Sequence, residues 1–356
     1  MKKLLICIFM MSLIVSCVKE DYFGLSDNAL IISMRVSNQA DVATINADKQ
    51  EVVLQMSPGV DISNIEIQTL ELSSFAKADK HSGDFINLND TTQIAIVSES
   101  GKTKYWKIYA KIASVEQQLK NSDFNAWHKA QGGYYEPGSG AEGTIWCTGN
   151  AGTKLLGIYP TTPLEYVADN YAVHMETLDN GRLSALVGAP ISAGSIVTGT
   201  FNNDKLDPSN PEAAIEFGTF FSGRPKSFSV KYSYEPGKKN KDKYGKVLEY
   251  GDQCDVYAYL EVRENETTKR LATAWFRNGD TQSQLTEIDV EFTYGELDES
   301  FPNYMKPDNN TYVSGDSVNY ILPTHIVFVG SSSYDGASFA GAVGSILMLD
   351  DLHMKY

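Results

Sequence analysis

Basic residues are scarce in this chain: 30 Lys and Arg stand against 45 Asp and Glu over 356 residues, a formal charge of −15 at neutral pH. A surface of that sign repels phosphate backbones and anionic lipid, which excludes nucleic acid as a partner. Histidine is as sparse, and His81, His128, His174, His325 and His353 stand too far apart to make a zinc spacing. No apolar run reaches the roughly 20 residues of a membrane-spanning helix. Beyond residue 121 no stretch of ten or more residues carries a 3.6-residue apolar period, so helices are not expected there, and there is no fixed-period repeat.

What is present begins at the N-terminus. Lys2 and Lys3 precede an apolar run from Leu4 to Val15, and Ser16 and Cys17 follow: a charged region, a hydrophobic region and a small-residue cleavage site. Residues 1–16 thus read as a signal peptide. Ile14-Val15-Ser16-Cys17 resembles the bacterial lipobox, which implies lipidation of Cys17 as the first mature residue. Val18-Lys19-Glu20-Asp21 is similar to the acidic export tag of Bacteroidetes lipoproteins, implying an outer-membrane, cell-surface location. Loss of Lys2 and Lys3 would leave 28 basic against 45 acidic residues, a charge of −17.

Cys7 leaves with the signal and Cys17 carries lipid, so only Cys147 and Cys254 could pair. For so sparse a set, buried free thiols are the expected outcome.

Residues 17–27 read as a tether. From Ala29 the pattern turns to short strands at Ala29–Val36, Glu51–Met56, Ile62–Leu72, Gln93–Ser98 and Tyr105–Ile112, several alternating apolar and polar, parted by turns such as Ser57-Pro58-Gly59. That density over residues 28–113 predicts an immunoglobulin-like β-sandwich. Residues 114–121 form a linker. From 122 to 356 glycine, tyrosine and asparagine become dense, and strands at 171–178, 196–201, 227–234, 254–263, 271–275, 285–294, 325–330 and 345–353 point to a larger jelly-roll sandwich. The fold class is all-β.

Motifs along the second domain carry a family resemblance. NSDFNAW at 121–127, GGYYEP at 132–137, WCTGN at 146–150, AGSIVTGTF at 193–201, FGTFFSGRPKSFSVKYSYEPG at 217–237, GDQCDVYAYL at 251–260 and SSSYDGASFAGAVGSILMLDDLHMKY at 331–356 occur in family order. They resemble the putative carbohydrate metabolism domain (PCMD) of Bacteroidetes polysaccharide-utilisation lipoproteins, with Tyr134 where that family carries Trp. The resemblance implies a glycan context more than a reaction, with glycan-import proteins as partners. The opening N-x-D-F-x-x-W and closing L-x-L-D-D-L are also similar to jelly-roll carbohydrate-binding modules, which implies a structural calcium between the first and last strands. Asp123, Asn125, Asp350 and Asp351 are its candidate ligands, or else Asp350 and Asp351 simply close the last strand by hydrogen bonding.

Catalytic motifs are missing. Gly138-x-Gly140-x-x-Gly143 copies a dinucleotide fingerprint but follows Pro137 and leads into strand-like residues without a helix. Gly336-Ala337-Ser338-Phe339-Ala340-Gly341 is one residue too long for a nucleophile elbow. Glycoside hydrolysis needs two placed carboxylates, and 45 acidic residues single out none. The sequence therefore favours a surface lipoprotein that binds polysaccharide without catalysis; a hydrolase or lyase, and a structural or adhesive lipoprotein, are the alternatives. Sugar rings present apolar C–H faces, so a binding site pairs an exposed aromatic with polar groups. Trp106, Trp127 and Trp275 read as strand residues that pack inward. Trp146 follows the glycine loop and precedes Thr148 and Asn150, so the expected sugar site is Trp146, Tyr134, Tyr135, Glu136 and Asn150, or else Trp146 is simply buried.

Overall fold

The computed structural model describes residues 24–113, 115–141, 143–205, 207, 211–264 and 267–356. The chain divides into two compact units, Met1–Ala113 and Ser114–Tyr356. Cys17 and the segment around it lie outside the described residues.

In the first unit five main strands form: β1 (Ile31–Val36), β2 (Glu51–Met56), β3 (Ile65–Leu72), β4 (Thr92–Val97) and β5 (Thr103–Ile112). Period-two alternation sets their faces. Val52, Leu54 and Met56 of β2 are wholly buried, and so are Ile94 and Ile96 of β4 and Trp106 and Ile108 of β5. β2, β5 and β4 belong to one five-stranded sheet, while β1 and β3 lie in a three-stranded one. β2 runs parallel to β5, with Val52 opposite Ile108. The indole N–H of Trp106 donates to the Ala29 carbonyl at 3.1 Å, which satisfies the one polar atom of that buried ring.

The second unit is a sandwich of two large sheets. Its main strands are β6 (Trp146–Thr148), β7 (Thr161–Val167), β8 (Asn170–Glu176), β9 (Ser195–Phe201), β10 (Ser227–Glu235), β11 (Cys254–Glu264), β12 (Thr267–Asn278), β13 (Gln282–Glu291), β14 (His325–Ser331) and β15 (Ile346–Lys355). One sheet orders β6-β9-β14-β11-β12 and ends on Thr293–Tyr294; the other orders β7-β8-β15-β10-β13, all pairs antiparallel. Their inner faces meet in one core that joins Met175, Val230 and Leu349 to Ile196, Val256, Leu260 and Phe328. Phe228 of one sheet meets Phe328 of the other edge to face, 5.7 Å between ring centres. Gly330 on β14 makes this fit possible, because a Cβ there would stand 2.6 Å from Leu349 Cδ1.

On β12 the residues Ala272, Ala274 and Phe276 turn to the core, so Thr273, Trp275 and Arg277 turn outward. A bulge follows: Leu260 pairs with Ala272 but Glu261 pairs with Arg270, leaving Leu271 unpaired and buried in the core. A second bulge, in β15, sets Asp351 at a φ of 49°. Cys147 and Cys254 are free and buried, and they belong to separate apolar clusters on opposite faces of the larger sheet.

Candidate functional site

The outer face of the larger sheet carries the site, and strand register builds it. Cys147, Val197, Val329, Tyr257 and Trp275 pair in succession across β6, β9, β14, β11 and β12, forming one row over the sheet. The adjacent row reads Ser195, Ser331, Asp255 and Arg277. Short helices and loops wall these rows into a cleft of about 560 Å³. The walls include α1 (Asn150–Thr153), α2 (Gly181–Leu186), Phe217 of a short strand paired with β9, Tyr304 of a 3-10 turn and Tyr334 of a loop. That volume falls in the roughly 300–1,000 Å³ range of small-molecule pockets.

Aromatic rings floor one end. The rings of Tyr257 and Trp275 stack at 3.8 Å and 14°, and Tyr259 continues the stack 6.0 Å beyond Tyr257. Beside them Arg277 and Asp255 lock together: Nε donates to Oδ1 at 2.6 Å and Nη2 to Oδ2 at 2.5 Å. Trp275 Nε1–H donates to the same Oδ1 at 3.1 Å, which fixes the indole in its plane. The guanidinium also lies 3.7 Å from the Tyr304 ring centre and 4.3 Å from that of Tyr334, both within cation–π range. Burial raises the Asp255 carboxyl above its ordinary value, and its hydrogen bonds and charge contact with Arg277 offset part of that rise. Burial likewise pushes the Tyr259 hydroxyl up to about 12.

This placement corrects the sequence expectation for the sugar site. Trp146 is 1 % exposed, wedged between Phe124 and Phe328, with its N–H spent on the Lys120 carbonyl. No face of that ring is open to a ligand. Tyr134 is buried and stacked on Tyr159. Asn150 is wholly buried and tied to the Tyr135 and Thr161 carbonyls and the Thr161 N–H, so it anchors a loop. Glu136 accepts from Thr148 Oγ1 at 2.8 Å, and its Oε2 is buried without a partner. Tyr135 is exposed, yet none of the five lines the cleft. Trp275 was expected to pack inward; it is instead half-buried on the cleft floor.

The calcium quartet disperses its donors. Asp351 pairs with Lys231 Nζ at 2.6 Å, Asn125 Oδ1 accepts from the Tyr171 N–H at 2.8 Å, and Asp350 Oδ2 accepts from the Tyr166 hydroxyl. Asp123 is exposed and within 3.3 Å of Asn125 Nδ2. Asp350 Oδ1 alone is buried and unpartnered. Among the described residues no three His, Cys, Asp or Glu side chains gather as a metal site. Calcium takes six to eight oxygen ligands, so these residues do not fit such an ion.

Residues 123–355 match the profile of the putative carbohydrate metabolism domain, PCMD. The chain belongs to this family. The PCMD match falls inside the second unit and includes every cleft residue. Two solved structures share its fold. One, titled a putative glycoside hydrolase from Bacteroides thetaiotaomicron, is 22 % identical, with a TM-score of 0.55 over 93 % of this chain and 98 % of that one. Another, titled a putative glycoside hydrolase from Bacteroides vulgatus, is 23 % identical, with a TM-score of 0.52 over 65 % of this chain and 96 % of that one. No functionally curated protein matches the sequence.

Proposed function

We propose that the PCMD binds a polysaccharide or oligosaccharide in the sheet cleft without cleaving it, as part of a surface lipoprotein anchored through Cys17 that delivers glycan to import proteins. The observation that carries the reading is the Tyr257–Trp275 stack beside the Asp255–Arg277 pair. The half-buried Trp275 offers a sugar the flat ring that sugar faces pack on, with polar atoms alongside.

The carboxylates argue against hydrolysis. Among the described residues, Asp255 and Glu212 are the acidic side chains that line the cleft. Asp255 spends both oxygens on Arg277 and Trp275, so it cannot trade a proton or attack a sugar carbon. Glu212 has the Asp308 carboxylate near enough to raise its own carboxyl beside the effect of burial, but Asp308 does not line the cleft, so the cleft itself presents no second free carboxylate.

A glycan array with the chain from residue 22 onward, which keeps every described residue, identifies the ligand. Trp275→Ala is expected to weaken its binding by about 1–3 kcal/mol, the scale for a large interface aromatic, with little change in Tm. Unchanged affinity in that variant, or new reducing ends released from the bound glycan, would overturn the reading.

A further inference from the structure

The cleft is polar at one end only. Asp255, Arg277, Ser331 and Ser333 frame the aromatic stack. Away from Trp275 the floor continues as Tyr257, Val329 and Val197, and the wall there brings in Leu155, Leu156 and Val187. Neighbouring strands lie about 4.8 Å apart, so Val329 stands roughly 10 Å and Val197 roughly 14 Å from Trp275 along the row. A pyranose ring stacked at Trp275 and Tyr257 therefore ends where the aliphatic floor begins.

At the mouth of the cleft, Leu155 is 85 %, Leu156 47 % and Val187 79 % exposed. They come from segments some thirty residues apart and converge on one opening. Apolar side chains left open together mark a binding surface. Charge narrows the class further. Among the described residues that line the cleft, Arg277 is the only Lys or Arg, and Asp255 already engages it. An anionic sugar would bring an unpaired charge.

We infer that the cleft selects an uncharged sugar unit bearing an apolar alkyl or aryl substituent, with the ring over Tyr257–Trp275 and the substituent over Val329 and Val197 under the Leu155, Leu156 and Val187 rim. The inference rests on the saccharide-binding reading and names its ligand class. Its driving force is the burial of apolar surface.

The test is calorimetric titration of the detergent-free chain from residue 22 onward. The probes are methyl, butyl, hexyl and phenyl β-D-glucosides, galactosides and mannosides, with hexanol and methyl glucuronide as controls. For the sugar that binds, affinity should rise at least tenfold from methyl to hexyl, and glucuronide should bind more weakly than the neutral methyl glycoside. The hexyl against phenyl comparison tells a lipid-like from a phenolic substituent. The double variant Leu156→Ser, Val187→Ser changes exposed positions, so it should fold, lose the chain-length gain and keep the methyl glycoside affinity. A flat series with measurable methyl glycoside binding overturns this inference and leaves the saccharide reading standing. Hexanol binding as tightly as the hexyl glycoside also overturns it. If none of these probes and no array glycan binds, the saccharide reading falls as well.

Discussion

Asp252 and Ser345 meet in the interior of the second unit, the Ser345 hydroxyl donating to Asp252 Oδ2 at 2.7 Å. The same oxygen accepts from the Ala342 N–H at 2.8 Å and from Ser333 Oγ, while Oδ1 accepts from the Gln253 N–H at 2.9 Å. One buried carboxylate thus ties the segment before β11 to the loops that precede β15. Asp252→Ala would orphan several buried donors at once. It should cost roughly 3 kcal/mol or more, since each buried group left unsatisfied costs about 1–3 kcal/mol. Urea unfolding is the check, and parental stability would show that the four contacts are not a structural tie.

Glu136 gives the second unit a pH dependence. Burial raises its carboxyl to about 7, partly opposed by hydrogen bonds from Thr148. The folded state therefore holds this proton more tightly than the unfolded chain, whose value is near 4.5. Its contribution is complete below about 4.5 and is lost as pH rises to about 7, a loss of order 3 kcal/mol. Glu136→Gln keeps an acceptor for Thr148 and has no proton to lose. Stability curves from pH 4.5 to 7.5 should fall more steeply for the parent than for this variant; parallel curves would place the Glu136 titration elsewhere.

The Tyr166 hydroxyl donates to Asp350 Oδ2. Chelation by EDTA should accordingly leave the Tm of the protein unchanged, whereas Tyr166→Phe should lower it by the equivalent of about 1 kcal/mol or more, the worth of a hydrogen bond to a charged group. A chelator-induced drop restored by calcium would reinstate the metal between first and last strands.

Membrane attachment is proposed to depend on one thiol. Cys17→Ala should move the protein from the membrane fraction to the soluble fraction of lysed cells, because an acyl chain is what would hold it there. Cells whose variant still sediments with outer membrane would exclude Cys17 as the anchor.

The strands were legible because alternation reports which residues turn the same way. Glu51–Met56 matches the expected bounds, and Cys254–Glu264 extends the reading by one residue. The faces that the two tryptophans take are instructive. The immediate neighbours of Trp275, Ala274 and Phe276, face the core, but a strand residue shares its face with positions two away. Those are Thr273 and Arg277, and the arginine was the available signal that this face is not core. Trp146 follows a glycine-rich loop, and its own strand is only three residues long and alternates too briefly to reveal a face. The cleft itself was not legible. It exists only through the register that aligns residues drawn from 147 to 329 into one row, and pairing partners so distant leave no local trace in sequence.

The burial of the tryptophans has an optical consequence. Trp106 and Trp146 are sealed from water, one in each unit, and should emit as blue-shifted, ligand-insensitive fluorophores, while the fourth tryptophan, Trp127, is half-buried and does not line the cleft. Trp275 stands in a half-open cleft against Tyr257 and close to Arg277, so its emission colour and its accessibility to a soluble quencher should follow occupancy of the cleft. The protein carries its own binding indicator, and replacing that one indole by phenylalanine would separate the responding signal from the silent background.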